Sequence, residues 1–153
     1  MAFTIFFFAA WLTLALFAVM RKRLSLIENT FVFMVIFVIN INWAWIIFEE
    51  TNFVKLTTEG MDYTAFLLFR SIIIPMILVI QLNLIPKFNT ALVIITSVII
   101  LLFLTYLSTF FHVTDYTKWN LGYDALYYIF LHVISYYSLQ LFRKTANNEV
   151  NYS

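Results

Sequence analysis

The sequence predicts an all-α fold, an integral membrane bundle of five transmembrane helices. Of its 153 residues, 63% are apolar and only 11% are charged, whereas about 25% of residues are charged in a soluble domain. Five apolar segments are each long enough to cross a bilayer core of roughly 30 Å at about 1.5 Å per residue. Lys and Arg cluster on alternate connections between these segments, as they do in multi-pass proteins.

The predicted segments form a single membrane domain over residues 1–153. The first span is not a secretory signal, because no basic residue precedes it and the basic triplet Arg21–Arg23 follows it at once. It is therefore expected to be an uncleaved helix. Residues 143–153 are expected to form a short cytoplasmic tail. The five predicted spans are residues 3–20, 30–48, 63–85, 89–111 and 125–142.

The later spans differ in how strongly they are predicted. The second contains two asparagines and ends near Trp43 and Trp45, which suit an aromatic belt at the interface. The third is interrupted by Arg70 and Pro75. The fourth has no charge and is the most apolar. The fifth contains His132 and four tyrosines, and is predicted to span because it runs for 18 residues without a formal charge.

The distribution of Lys and Arg predicts the orientation. Only Lys55 and Lys118 fall on the side that holds the two longer loops, and six basic residues fall on the other. Because the basic side stays in the cytoplasm, we expect the N-terminus outside, the C-terminus inside and a location in the plasma membrane. The six residues that determine this topology are Arg21, Lys22, Arg23, Lys87, Arg143 and Lys144.

Composition and motifs exclude several functions. A net charge of +1 gives no field that would select nucleic acid. The absence of cysteine removes disulfides, thiolate metal sites and cysteine nucleophiles. The two histidines have no partner at metal-ligand spacing on a helix, and two glycines cannot supply a phosphate-binding loop. We therefore expect no catalytic, cofactor-binding or metal-binding residues, and the balance favours a protein that is not an enzyme.

Arg70 is the sequence feature that hints at function. It lies seven residues inside the outer end of the third span, so roughly 10 Å deep, where a cation must snorkel, pair or line a wet space. Other hydrogen-bonding residues lie at a similar depth on the second, fourth and fifth spans. If they face inward, they form a polar layer open to the outside, made of Asn42, Arg70, Thr105, Tyr106 and His132.

A structural interpretation competes with this polar layer. Arg70 could snorkel or form an ion pair at the outer rim, and the neutral residues could simply bond neighbouring helices at about 0.6 kcal/mol each. Pro75 is expected to kink the third helix beside Arg70, which would suit a binding niche but is also common in membrane helices. The candidate ion-pair partners are Glu49, Glu50, Asp62 and Asp124.

Two short motifs carry a resemblance to a family. RSIIIP (Arg70–Pro75) and KWNLGYD (Lys118–Asp124), in a five-span chain of this length, resemble small bacterial membrane proteins of a family without an assigned function. The similarity of topology covers nearly the whole chain, although its N-terminal half matches less well. The resemblance implies a plasma-membrane location and no activity.

Three functional hypotheses remain. The first is a non-enzymatic accessory or sensory subunit that uses the Arg70 layer to meet a membrane-protein partner or a small ligand. The second is a small transporter or channel component, as a homo-oligomer. The third is a membrane enzyme acting on lipid, with Arg70 holding a phosphate and His132 as general base. All three are embedded in the lipid bilayer and none involves nucleic acid.

Overall fold

The computed structural model describes residues 1–150, with side chains through residue 146. It confirms the all-α class and contains five helices that are long and apolar enough to cross a membrane. Each overlaps one of the predicted segments. Their bounds are Ala2–Val19, Leu26–Glu50, Gly60–Leu84, Thr90–Phe110 and Leu121–Ala146.

Two of these helices contain a π-helical turn. Helix α1 is Ala2–Val19, and α2 (Leu26–Trp45) continues into the π turn Ile46–Glu50. The third helix consists of α3, a second π turn and α4, which follow one another without a break. Helices α5 and α6 complete the bundle. The remaining bounds are α3 Gly60–Leu68, π turn Phe69–Ile73, α4 Ile74–Leu84, α5 Thr90–Phe110 and α6 Leu121–Val150.

The ends of α2 and α6 differ from the predicted bounds because of side-chain capping. Ser25 and Glu28 form a capping box, so α2 begins at Leu26 rather than at residue 30. Asn120 accepts hydrogen bonds from the backbone N–H groups of Gly122 and Tyr123, and α6 accordingly begins at Leu121 rather than at residue 125. No helix-breaking residue follows Phe142, and α6 continues into the predicted tail 143–153. Residues 151–153 of that tail lie outside the described residues.

The two longer loops pair with each other, which the sequence did not predict. Strand β1 (Val54–Leu56) runs antiparallel to β2 (Thr114–Tyr116), with Lys55 opposite Asp115. The pairing continues outside the strands, where the N–H of Thr57 donates to the carbonyl of Val113 at 3.1 Å. This two-stranded sheet covers one end of the bundle, which is called the sheet end below.

The third helix forms the centre of the bundle. In its most apolar 18-residue window, 61% of the residues are buried, against 22% in α1 and 28% in α5. Below the sheet end, the fully buried side chains of Ile73, Leu78, Leu101 and Leu131 fill the interior. Large apolar side chains on the outer helices instead face outward, as expected where lipid is the solvent; they include Phe7, Trp11, Leu92 and Ile99.

Asparagines hold the opposite end of the bundle together. The Oδ1 atom of Asn83 accepts hydrogen bonds from the backbone N–H groups of Arg23 and Leu24 at 2.9 and 3.0 Å. Its Nδ2 atom donates to Asn29 Oδ1 at 2.8 Å. The turn between α1 and α2 is thereby fixed to α4. Nearby, Arg143 Nε donates to Glu28 Oε1 at 2.6 Å, which attaches α6 to the same end.

Candidate ligand-binding site

A cavity of about 70 Å³ lies directly beneath the sheet. Residues from α2, the third helix, α5, both strands and the start of α6 line it. Arg70 and Asp124 are its charged residues, and half of the remaining lining residues are aromatic. The aromatic lining residues are Trp43, Phe48, Phe66, Phe69, Tyr116, Trp119, Tyr127 and Tyr128.

Arg70 belongs to the π turn Phe69–Ile73 and lines the cavity. Pro75 explains why the backbone of this turn needs a hydrogen bond from a second helix. In this turn the N–H of Ile74 donates to the carbonyl of Phe69, five residues back. The next bond in that pattern would join residue 75 to the carbonyl of Arg70, but proline has no N–H to donate. The side-chain amide of Asn40 on α2 donates to that carbonyl instead. The third helix continues through Pro75 without a break in its helical turns, and the kink expected there stays a prediction.

Asn40 is itself fixed by an aromatic pair. The hydroxyl of Tyr127 donates to Asn40 Oδ1 at 2.7 Å. The ring of Tyr127 stacks on that of Trp43, with centroids 4.8 Å apart and planes inclined by 7°. Both polar atoms of the buried amide thus have a partner, and α2, α6 and the third helix meet at one residue.

The Arg70 guanidinium has no anionic partner. Its Cζ atom lies 5.0 Å from the centroid of the Phe66 ring, a cation–π contact. Its Nε atom is buried without a hydrogen-bond partner. Within the described part of the chain no carboxylate oxygen lies within 4.0 Å of Arg70. The structure therefore does not form the expected ion pairs with Glu49, Glu50, Asp62 or Asp124.

Asp124 is bound by neutral donors rather than by Arg70. Its carboxylate accepts hydrogen bonds from the Trp119 indole Nε1 at 3.0 Å and from the Tyr116 hydroxyl. Tyr116 belongs to β2, so this contact attaches the sheet to the start of α6. Burial, and secondly the adjacent Asp124 carboxylate, raise the pKa of Tyr116 well above its ordinary value.

The predicted polar layer is only partly assembled. Arg70 and Thr105 line the cavity, and the Thr105 hydroxyl lies 2.6 Å from that of Tyr128. Asn42 and Tyr106 are exposed on the outside of the bundle. His132 is buried in a different cleft, beside Gln81 and away from Arg70.

The estimate of depth along each helix predicted Asn42 as part of the site, whereas the structure places Asn40 there. It also did not predict Tyr116 and Trp119 as donors to Asp124. Asn40 and Asn42 are two residues apart on a helix, so they point in nearly opposite directions and only one can face inward. Depth along the helix does not distinguish them. The signal that could have identified Asn40 is Pro75, which leaves an acceptor on the third helix in need of a donor.

The motifs that carried the family resemblance meet at this cavity. RSIIIP supplies Arg70 and Ile74, and KWNLGYD supplies Trp119 and Asp124. No protein-family model, curated protein or solved structure matches the chain. No group of His, Asp or Glu suited to a metal ion occurs among residues 1–146. The chain is a bundle of five helices long and apolar enough to cross a membrane, with a cavity beneath the sheet that Arg70, Asp124 and aromatic side chains line.

Proposed function

We propose that this protein is a non-enzymatic accessory or sensory subunit of the plasma membrane, which receives an anionic group from outside the cell in the Arg70 cavity. The observation that carries the proposal is Arg70, a cation that lines the cavity and has no anionic partner among the described residues, and whose Nε is buried without a hydrogen bond. Arg70 is half-buried, and a charge that is partly withdrawn from water without a partner costs free energy. A bound anion, or a carboxylate on a partner subunit, relieves that cost.

The charge distribution supports an orientation in which the sheet end faces out. Contacts of Arg23 with Asn83 and of Arg143 with Glu28 place two clusters of basic residues at the opposite end. Lys87, four residues after Asn83, belongs to the same end. This asymmetry is the pattern of a cytoplasmic face. The N-terminus would then be outside and the C-terminus inside.

A transporter or channel component is the alternative, and the packing argues against an open path in this conformation. The layer formed by Ile73, Leu78, Leu101 and Leu131 is fully buried. It separates the cavity from the asparagine cluster at the opposite end. A conducting path would require this layer to separate, which favours a receptor that binds at one face.

The hypothesis of a lipid enzyme has less support. It needs Arg70 and His132 to act on one bound group. These two residues line different cavities, and His132 Nδ1 lies 2.6 Å from the backbone carbonyl of Tyr128. With Nδ1 donating to that carbonyl, the remaining nitrogen, Nε2, is buried without a hydrogen-bond partner.

The proposal is tested by purifying the tagged protein in mild detergent and identifying what accompanies it by mass spectrometry. We expect wild type to retain a partner subunit or a bound anion that Arg70→Gln loses. Arg21→Gln, which removes an exposed arginine at the opposite end, is the matched control and should retain it. If wild type and Arg70→Gln carry the same molecules, the proposal is wrong.

A further inference from the structure

The wall of the cavity leaves one kind of hydrogen-bonding capacity unused. The Asn40 amide is occupied on both atoms, and the hydroxyls of Thr105 and Tyr128 bond to each other. The hydroxyls of Ser108 and Thr114 form a further pair at 3.0 Å. The Arg70 guanidinium lines the same wall without an anionic partner, and its Nε has no hydrogen bond, as far as the structure is described. An occupant must therefore offer an acceptor to a cation.

The charge of the wall limits the charge of the occupant. Arg70 contributes one positive charge, and Asp124 on the same wall contributes a carboxylate held by Tyr116 and Trp119. One further negative charge pairs with Arg70, whereas a second would be left close to Asp124 without a partner. A monoanion therefore fits this site better than a dianion.

The size and shape of the cavity limit the possible occupants further. At about 10–15 Å³ of accessible volume for each water molecule, a cavity of about 70 Å³ holds roughly five waters. A lipid headgroup exceeds that space, whereas an anion of a few heavy atoms fits it. The guanidinium fork pairs best with a planar group that offers two oxygens side by side, and the aromatic wall suits a small apolar substituent.

We propose that the Arg70 cavity binds a short-chain monocarboxylate of about the size of acetate. This inference rests on the proposed function, because it specifies the ligand of the same site. The carboxylate accepts from the Arg70 guanidinium, and its methyl group packs against the aromatic rings beneath the sheet. The test below separates the two claims.

The experiment measures the thermal unfolding midpoint of the full chain in mild detergent, in a chloride-free gluconate buffer whose anion is too large for the cavity. We expect acetate to raise the midpoint in a saturable manner, because a ligand that binds only the folded state stabilises it. Acetamide, a neutral molecule of the same shape, should have no effect. Succinate, a dianion, should be at least tenfold weaker than acetate.

Two variants connect the effect to Arg70. Arg70→Gln should abolish the response to acetate, while Arg21→Gln should preserve it. Should Arg70→Gln fail to fold, Arg70→Lys retains the charge without the planar fork and should weaken the apparent affinity at least tenfold. An equal response in wild type and in the Arg70 variants would overturn the inference, as would an equal response to acetamide.

Other outcomes separate the ligand from the function. If octanoate stabilises wild type through Arg70 but acetate does not, the small size of the ligand is wrong and an anion-binding function stands. If no carboxylate acts but a partner protein is lost from Arg70→Gln, the ligand is wrong and the accessory function stands. If neither the effect of a carboxylate nor the retention of a partner depends on Arg70, both the proposed ligand and the proposed function are wrong.

Discussion

At the scale of single residues, Asn40 connects backbone geometry to the site. It replaces the hydrogen bond that Pro75 cannot make and receives one from Tyr127. Asn40 is 3% exposed, whereas Asn42 on the same helix is exposed, and its side-chain amide donates to the carbonyl of Val38. The two asparagines therefore form a natural comparison between a residue of the site and one on the outer surface.

We expect Asn40→Leu to destabilise the protein by about 1–3 kcal/mol, because it leaves the Arg70 carbonyl and the Tyr127 hydroxyl buried without partners. Asn42→Leu should change stability by less than about 0.5 kcal/mol, as surface substitutions usually do. Denaturant titration in detergent measures both free energies of unfolding. Equal losses in the two variants would contradict the role given to Asn40.

Tyr116 gives a prediction about pH. Its pKa is raised in the folded state, so the folded protein keeps a proton that the unfolded chain releases above about pH 10. Stability from this group is present below that pH and falls as the pH rises above it. We expect the free energy of unfolding to decrease with alkaline pH more steeply in wild type than in Tyr116→Phe. Identical slopes would show that Tyr116 does not contribute.

At the scale of elements, the sheet joins two loops that the sequence describes only as polar connections. Each strand has three residues, which is too short for an alternating pattern to stand out. The pairing depends instead on the bundle, which brings together the segment after the π turn Ile46–Glu50 and the segment after α5. Tertiary contacts of this kind outweigh local propensity.

The pairing of the strands is testable because the natural chain has no cysteine. Lys55 and Asp115 are directly opposite each other, and opposed Cα atoms in an antiparallel pair lie about 4.5–5.5 Å apart, within disulfide range. We expect Lys55→Cys/Asp115→Cys to form a disulfide under mild oxidation. Lys55→Cys/Lys87→Cys should not, because Lys55 precedes the third helix and Lys87 follows it at the opposite end of the bundle. Failure of the first pair to oxidise would contradict the register.

At the scale of the whole molecule, the sequence predicted the fold better than the site. Five apolar runs are sufficient to identify five helices, because lipid demands long stretches of apolar side chains. Arg70 was identified as the central residue because a charge in such a run is unusual. Its surroundings depend on which way each helix is rotated, and a helix such as α5 is apolar nearly all round. Sequence gave no basis for separating His132 from Arg70.

The orientation of the protein across the membrane can be measured directly. We expect a membrane-impermeant thiol reagent to label Lys55→Cys in intact cells and to label Thr145→Cys only after the membrane is opened. Lys55 lies on β1, and Thr145 is exposed near the far end of α6. The reverse pattern would place the Arg70 cavity on the cytoplasmic side and contradict the proposed direction of ligand entry.

We propose that the Arg70 guanidinium binds an occupant of the cavity and does not form an ion pair within the protein. Measuring the free energy of unfolding of Arg70→Met, without added anions, tests it most directly. We predict a stability within about 1 kcal/mol of wild type or higher, because only the contact with Phe66 is lost while an uncompensated charge is removed. A loss of about 3–5 kcal/mol, as when a buried ion pair is broken, would contradict the claim.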